Sequence, residues 1–358
     1  MTAPAILLLD GDGIGPEIVG ATRMVLQAAS NRFGLNLQFQ TATIGFAALG
    51  ATGATIDEAV IAQARSADGV VLGPVSHNAY PPVAEGGLNP SGTLRRALDL
   101  FANIRPAATR AGLPAPATMP FDLVIFRENT EGFYADRNLH LGPGEFMPDA
   151  DTAMALRKIS RRACRRIAQA GFAHAATRPA AHVTAVHKAN VLRVSDGLFL
   201  EECRAVAKAY PAITYEEVLV DAMAAHLVRN PARHDVIVTT NMFGDILSDL
   251  AGELSGSLGL AASLNAGTDH AMAQAQHGSA PDIAGQGVAN PAALIGSAAM
   301  LLDWLGARRS APALTTAGRA MAVALDAALA DPATRTPDLG GRASTEGMAH
   351  AVIAALPG

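Results

Sequence analysis

The stretch Val236 to Asp249, VIVTTNMFGDILSD, decides the architecture of this chain. The apolar run VIVT predicts a short strand buried on both faces, and the residues after it predict a helix. In that helix Asp245 and Asp249 stand four apart and share a face, while Ile246, Leu247 and Leu250 turn towards a core. An isolated D-x-x-x-D is more often a helix-start carboxylate beside a solvated acid. The strand upstream, with Asn241 and Gly244 between, shifts the balance. Two carboxylates at the carboxyl end of a buried strand stand where open α/β sheets build sites, and their spacing suits a hard cation such as Mg2+ or Mn2+.

The same alternation of short strand and longer helix runs through the chain. Strands are expected at Ile6–Leu9, Gly69–Leu72, Leu123–Phe126, His182–Val186 and Val236–Thr239. Helices are expected from Pro16, through Leu94 to Leu98, from Thr152 to Ala170, from Leu198 to Ala209, and over the alanine-rich part beyond Pro291. This rhythm means α/β with a mostly parallel sheet and flanking helices. At 358 residues, half of them apolar, the chain exceeds what one core usually serves, so two domains are expected.

Charge and composition exclude several classes. A net charge of −5 offers no basic face for nucleic acid or an anionic membrane. The first apolar run, Ala5–Leu9, lacks a basic flank and ends at Asp10, so it reads as a strand and not a signal peptide. No run of about 18 apolar residues free of glycine and charge occurs, so no membrane span is expected. Cys164 and Cys203 have no metal spacing and imply no disulfide framework, which makes a reducing cytoplasm the expectation. The lysines are only three, Lys158, Lys188 and Lys208. A lysine retained among arginines can be a proton carrier, because an ammonium can be deprotonated and a guanidinium cannot; an arginine-rich codon bias explains the same count.

Gly11, Gly13 and Gly15 follow the first strand, but Pro16 stands where a G-x-G-x-x-G fingerprint needs its last glycine. GDGIGPE therefore predicts a tight turn into a helix near a ligand, with Pro16 and Glu17 as helix-start residues. Arg95 and Arg105 lie in LRRALDLFANIRP, and Arg127 follows the strand Leu123–Phe126. Guanidinium forks grip carboxylates at two points, so three of them around one pocket would imply a di- or tricarboxylate; each alone reads more readily as a solvated surface arginine. Lys188 and Asp221 also follow apolar runs, and Tyr134 ends the stretch FRENTEGFY. Taken singly they read as a packing tyrosine, a helix-start lysine and a strand-end acid.

The motifs GDGIGPE, LRRALDLFANIRP, RENTEGFY, HKANVL, VDAMAAHL, NMFGDILSD, HGSAPDIAGQGVANP and RTPDLGG, in this order and spacing, closely resemble the metal-dependent β-decarboxylating dehydrogenases. That family includes isocitrate, isopropylmalate, homoisocitrate and tartrate or D-malate dehydrogenases, and the resemblance covers essentially the whole chain. It implies a two-domain, non-Rossmann isocitrate/isopropylmalate dehydrogenase-like fold. Residues 1–104 with 256–358 would form the cofactor-binding domain, and 105–255 the substrate, metal and dimerisation domain. It further implies that Arg95, Arg105 and Arg127 hold the malate carboxylates, that Tyr134 and Lys188 are the acid–base pair, and that Asp221, Asp245 and Asp249 bind Mg2+ or Mn2+. Such enzymes act as homodimers with shared active sites, so Lys188 and Asp221 would serve the partner subunit.

By the same resemblance the cofactor is NAD, held by His277, Gly278, Ser279, Ala280, Asp282, Ile283 and Asn290. Asp282 takes the place of the acid found in NAD-preferring members. A carboxylate can accept a hydrogen bond from a ribose 2′-hydroxyl and repels a 2′-phosphate. One departure precedes this loop: Gln274, Ala275 and Gln276 stand where the family usually has an acid, a proline and a valine before the histidine. Asn89 and Ser91 lean towards a polar C3 substituent, as in isocitrate or homoisocitrate, although Gly92 replaces an arginine of the homoisocitrate branch. The alternatives are isopropylmalate, D-malate or tartrate as substrate, or a regulatory subunit without turnover, which would have no need of the proton-transfer pair.

Overall fold

A computed structural model describes residues 3–134 and 144–357. In chain order it begins β1 (Ala5–Leu9), α1 (Gly15–Arg32), β2 (Gln38–Ala42), α2 (Gly45–Thr52), α3 (Glu58–Ser66), β3 (Gly69–Leu72) and α4 (Pro90–Ala97). Next come β4 (Ala102–Ala108), β5 (Asp122–Glu128), β6 (Glu145–Asp149), β7 (Thr152–Ala155), α5 (Arg161–Ala175), β8 (His182–His187) and α6 (Ser195–Ala207). Then follow β9 (Thr214–Leu219), α7 (Val220–Arg229), β10 (Val236–Thr239), α8 (Asn241–Leu254), β11 (Leu264–Ala266) and β12 (Ala271–Gln274). Three helices close the chain: α9 (Ala292–Arg309), α10 (Pro312–Ala330) and α11 (Thr345–Ala355).

The chain divides into two compact units. One comprises Met1–Leu98, Arg110–Pro114 and Ser257–Gly358, and the other Asp99–Thr109 and Ala115–Gly256. The first carries strands in the order β2-β1-β3-β12-β11, and only β11–β12 is an antiparallel pair. The second carries β4-β5-β10-β8-β9, and only β4–β5 is antiparallel. Helices pack on these sheets as an α/β fold requires.

In the second unit successive residues of one strand feed opposite layers, because strand side chains alternate. Val236 and Val238 of β10 pack with Phe126, Phe172 and Phe199, whereas Ile237 packs with Ile125, Met223 and Leu247. Both faces are therefore covered, and each of these buried side chains contributes ~1.5–3 kcal/mol of transfer free energy. In the first unit α10 is long and apolar enough to cross a membrane by length and composition alone. It carries Arg319 and Asp326, however, and buries Leu314, Met321, Leu325 and Leu329 in the protein.

The expected helix from Thr152 to Ala170 needs correction. Thr152–Ala155 form β7, paired antiparallel with β6, and the helix begins only at Arg161. Ser160 is its N-cap: the hydroxyl accepts a hydrogen bond from the Ala163 amide at 3.2 Å, satisfying a donor the first turn leaves open. The sequence reading also left out β4, whose Pro106 argues against a strand.

Candidate active site

Three elements of the second unit meet at one cluster. Thr239 at the end of β10 stands in register with Arg127 on β5, and Asn103 on β4 lies opposite Arg127. From Asn241 the chain turns into α8, which sets Asn241, Asp245, Ser248 and Asp249 at the spacing of one helix face. That face is polar and meets the two buried arginines of β4 and β5.

Arg127 donates through Nε and Nη2 to Asn241 Oδ1, at 3.0 and 2.6 Å, and through Nη1 to Asp245. Arg105 donates to Ser248 Oγ at 2.6 Å and to Asp249 Oδ1 at 3.1 Å, and its Nη1 lies 3.2 Å from Asp245 Oδ1. Tyr134 Oη donates to Asp245 Oδ2 at 3.2 Å, and its ring lies under the Arg127 guanidinium. Asp245 is thus the shared acceptor of two guanidiniums and a phenol. Gly244 makes the approach possible: a β-carbon there would come within 2.6 Å of Arg127 Cβ.

Burial sets the electrostatics. Desolvation, followed by the like charge of Arg127, pushes Arg105 down to about 10. Arg127 is lowered as well, chiefly by desolvation, with Asp245 opposing. Asp249 is raised by burial and pulled back by Arg105. At neutral pH the two arginines and two aspartates sum to zero, an arrangement that can take a cation and an anion together without stranding a charge.

Lys188 and Asp221 form a separate pair in the same unit. Lys188 follows β8, Asp221 lies in the first turn of α7, and their side chains meet at 2.6 Å with Asp221 mostly exposed. The lysine hydrogen bond holds the Asp221 carboxyl below its usual range. Asp196, wholly buried, accepts the Lys188 amide at 2.6 Å and pairs with Arg157 at 2.5 Å, which fixes the backbone that carries the lysine. Among the described residues no three of His, Cys, Asp and Glu gather as a cation cage. Asp245 and Asp249 supply hard oxygen donors one helical turn apart, which fits Mg2+ or Mn2+, and Asp221 is engaged with Lys188.

The dinucleotide residues expected from sequence belong to the first unit. A cavity of about 390 Å3 is lined by Ile14, His277, Gly278, Ile283, Asn290 and Asp338, among others, and Ala280 also faces it. Its wall is largely apolar, with an amide and a carboxylate that suit a flat heteroaromatic base. Asn290 Nδ2 donates to Asp338 Oδ2 at 2.9 Å, and burial holds the His277 imidazole below its usual pKa. Ser279 and Asp282 stand outside this lining. Ser279 Oγ bonds Ser76 Oγ at 2.7 Å, and the Ser279 carbonyl accepts the Ile14 amide at 2.9 Å. A β-carbon on Gly13, which has φ +57°, would lie 2.0 Å from that carbonyl, so the glycine of GDGIGPE lets two loops touch. Glu17 accepts the amides of Gly285 and Gly287, tying the same loop to α1. Asp282 is exposed.

Also in the first unit, Asn89 caps α4 by accepting the Gly92 amide at 3.1 Å. Ser91 Oγ and Arg95 Nη2 both donate to Gln274 Oε1, at 2.8 and 3.3 Å. The structure thus brings Arg105, Arg127, Tyr134, Asp245 and Asp249 together, pairs Lys188 with Asp221, and places Asn89 at the N-cap, Ser91 in the first turn and Arg95 in the last turn of α4. Sequence reasoning named Asn241 as context without a role and passed over Ser248, Arg157, Asp196 and Asp338. Asn241 and Ser248 were within reach, since they sit four residues before and three after Asp245 on one helix face.

The family model described as isocitrate/isopropylmalate dehydrogenase matches residues 5–352. An isocitrate/homoisocitrate dehydrogenase of Thermus thermophilus is 43% identical over 353 residues, 98% of each chain. A 3-isopropylmalate dehydrogenase of Methanothermobacter thermautotrophicus is 39% identical, over 98% of this chain and 97% of that one. The crystal structure of isocitrate dehydrogenase from Methylococcus capsulatus superposes with a TM-score of 0.86 at 39% identity, covering 99% of both chains.

Proposed function

The chain belongs to the isocitrate/isopropylmalate dehydrogenase family, and from that premise we propose that it oxidises and decarboxylates a 3-substituted (2R)-malate with NAD and Mg2+ or Mn2+. Decarboxylating dehydrogenation is the chemistry of the family. The observation that carries this reading is the Asp245 cluster, in which fixed cations, hard oxygen donors and a phenol proton share one acceptor. Arg105 and Arg127 receive carboxylate oxygens in two-point fashion. Arg95 joins them in holding the malate carboxylates, and Asn89 and Ser91 recognise the C3 substituent, with a polar one favoured.

A divalent ion would be held by Asp245 and Asp249, with Asp221 contributed across the proposed dimer, and would supply positive charge at the substrate alcohol and the departing carboxylate, while NAD would supply the hydride acceptor. Lys188 takes the hydroxyl proton, and Tyr134 Oη returns a proton to C3 after CO2 departs. The exposure of the Lys188–Asp221 pair supports the further reading that the enzyme is a homodimer in which this pair serves the partner's site. A cytoplasmic location is proposed with it, in keeping with two free cysteines.

The test is metal-dependent NADH formation with isocitrate, homoisocitrate, isopropylmalate, D-malate and tartrate side by side. Turnover of isocitrate or homoisocitrate above the others is expected; isopropylmalate alone would overturn the polar assignment, and no turnover at all would point to a regulatory subunit. The 3-isopropylmalate reading has its support in the Methanothermobacter relative. For the cofactor, Asp282→Lys is expected to weaken NAD and improve NADP, moving the ratio of their kcat/KM values ~10- to 100-fold, about 1.4–2.7 kcal/mol. An unchanged ratio would remove Asp282 from ribose recognition.

A further inference from the structure

Arg157 lies between β7 and α5, and three segments of the second unit converge on its side chain, which is 9% exposed. Nη1 donates to Ser195 Oγ at 2.8 Å and to Asp196 Oδ1 at 2.5 Å, and the other oxygen of that carboxylate accepts the Lys188 amide at 2.6 Å. Nη2 donates at 3.1 Å to Oγ1 of Thr240, the N-cap of the helix that carries Asp245 and Asp249. The guanidinium also lies over two rings: Phe243 in the first turn of α8, 5.4 Å to the centroid, and Phe133, the neighbour of Tyr134, at 5.9 Å. The backbone beside Arg157 reaches the same tyrosine loop. The Lys158 amide donates to the Gly132 carbonyl at 3.0 Å and the Gly132 amide returns the bond at 2.8 Å, while Glu131 accepts the Ser160 amide at 2.7 Å and its hydroxyl at 2.6 Å.

We infer that Arg157 is a positioning residue: one planar guanidinium sets the spacing among the segments that carry Tyr134, Lys188 and the Asp245 helix. The inference rests on the reading above that Tyr134 and Lys188 move protons. The shape of the fork makes the role possible, since its edge donates to Asp196 and Thr240 while its face stacks on the two rings. A lysine ammonium is a compact charge with no face; it can hold Asp196 but cannot also reach Thr240 and stack. Asp196 is wholly buried, so water does not replace the contact when it loosens. Proton transfer needs its groups within about 3 Å of their targets, and a displacement of ~1 Å costs ~100-fold in rate. A change at Arg157 reaches all three segments together, whereas a change at Lys188 or Tyr134 touches one.

The experiment compares wild type, Arg157→Lys and the double variant Arg157→Met with Asp196→Asn, which removes both buried charges and so keeps the fold if the single variant does not. Three quantities are read: amide hydrogen exchange along the chain, NADH formation from isocitrate with Mn2+, and exchange of the C3 protons of 2-oxoglutarate with D2O in the presence of Mn2+ and NADH, which reports the Tyr134 step alone. In Arg157→Lys, amide exchange is expected to quicken together in Glu131–Tyr134, Lys188–Leu192 and Asn241–Asp245. Both reactions should slow ~10- to 100-fold, with KM for isocitrate and NAD within ~3-fold. In the double variant C3 exchange should stay slow, because Asp196 bonds nothing on the Tyr134 side. Recovery of C3 exchange there would show that Arg157 only balances the charge of Asp196, and would overturn the assignment. So would faster amide exchange confined to one of the three segments, or wild-type rates in Arg157→Lys. Wild-type protein that forms no NADH from any malate, with the three segments still loosening together in Arg157→Lys, would count against the proposed activity and leave the role of Arg157 standing.

Discussion

Replacing Asp245 by asparagine is expected to cost the protein both stability and activity. Arg105 and Arg127 are buried, and among the described residues Asp245 is the one carboxylate that touches both. Asparagine keeps an oxygen but loses the charge, and its NH2 would confront a donor-only guanidinium. Breaking a buried pair from one side costs about 3–5 kcal/mol; because Asp245 is one-third exposed and Asp249 remains, about 2–3 kcal/mol is expected here. Loss of an ion ligand should lower kcat/KM by ~1000-fold or more, equivalent to about 4 kcal/mol at the transition state. Denaturant unfolding and Mn2+ titration check the two effects separately. A variant as stable as wild type that binds Mn2+ equally well would remove Asp245 from its central place. Asp249→Asn serves as the companion, since that side chain is half exposed and pairs only with Arg105, so its stability should fall by less.

How far the sequence discloses this arrangement depends on whether a residue's partner is near in sequence. The strand Val236–Thr239 and the helix after it were legible because an apolar run and an i, i+4 pattern are local signals, and the structure gives the strand those bounds, although Ile246, expected on the core side, is exposed while Leu247 is buried. The Asp245 and Asp249 pair was legible for the same reason. Thr152–Ala155 misled because four residues consistent with a helical face are held in a hairpin by β6, and pairing partners leave no trace in the four residues themselves. The support beneath Lys188 was illegible for a related reason. Arg157 and Asp196 meet across 39 residues of chain, and nothing at either position distinguishes them from surface charges. Asp338 was quoted within RTPDLGG, yet only the fold shows it beside Asn290, 48 residues away.

The division of charges also explains why the candidate residues sort as they do. Around Asp245 two buried arginines are balanced by two partly exposed aspartates, so the cluster can persist as a preorganised, satisfied network before any ligand arrives.

Lys188→Met is expected to abolish turnover while leaving the dinucleotide site intact. Methionine nearly matches the lysine stem in length and packs comparably, so the substitution removes mainly the ammonium and its proton. The backbone of residue 188 stays fixed by Asp196 and Arg157. Stability should change little, because the Asp221 end of the Lys188–Asp221 pair is exposed and such pairs are worth little. Freed of its lysine, Asp221 should titrate higher than before, since that hydrogen bond is the first cause of its low pKa. Loss of a general base lowers rates by about 100- to 10,000-fold, and a fall in kcat in that range is expected. The cavity lined by His277, Asn290 and Asp338 lies in the other unit of the chain, so the dissociation constant for NAD, read by calorimetry, should hold within ~2-fold. A variant that turns over at the wild-type rate would take the lysine out of proton transfer. One that loses NAD binding along with turnover would show that residue 188 acts through structure and not through its proton.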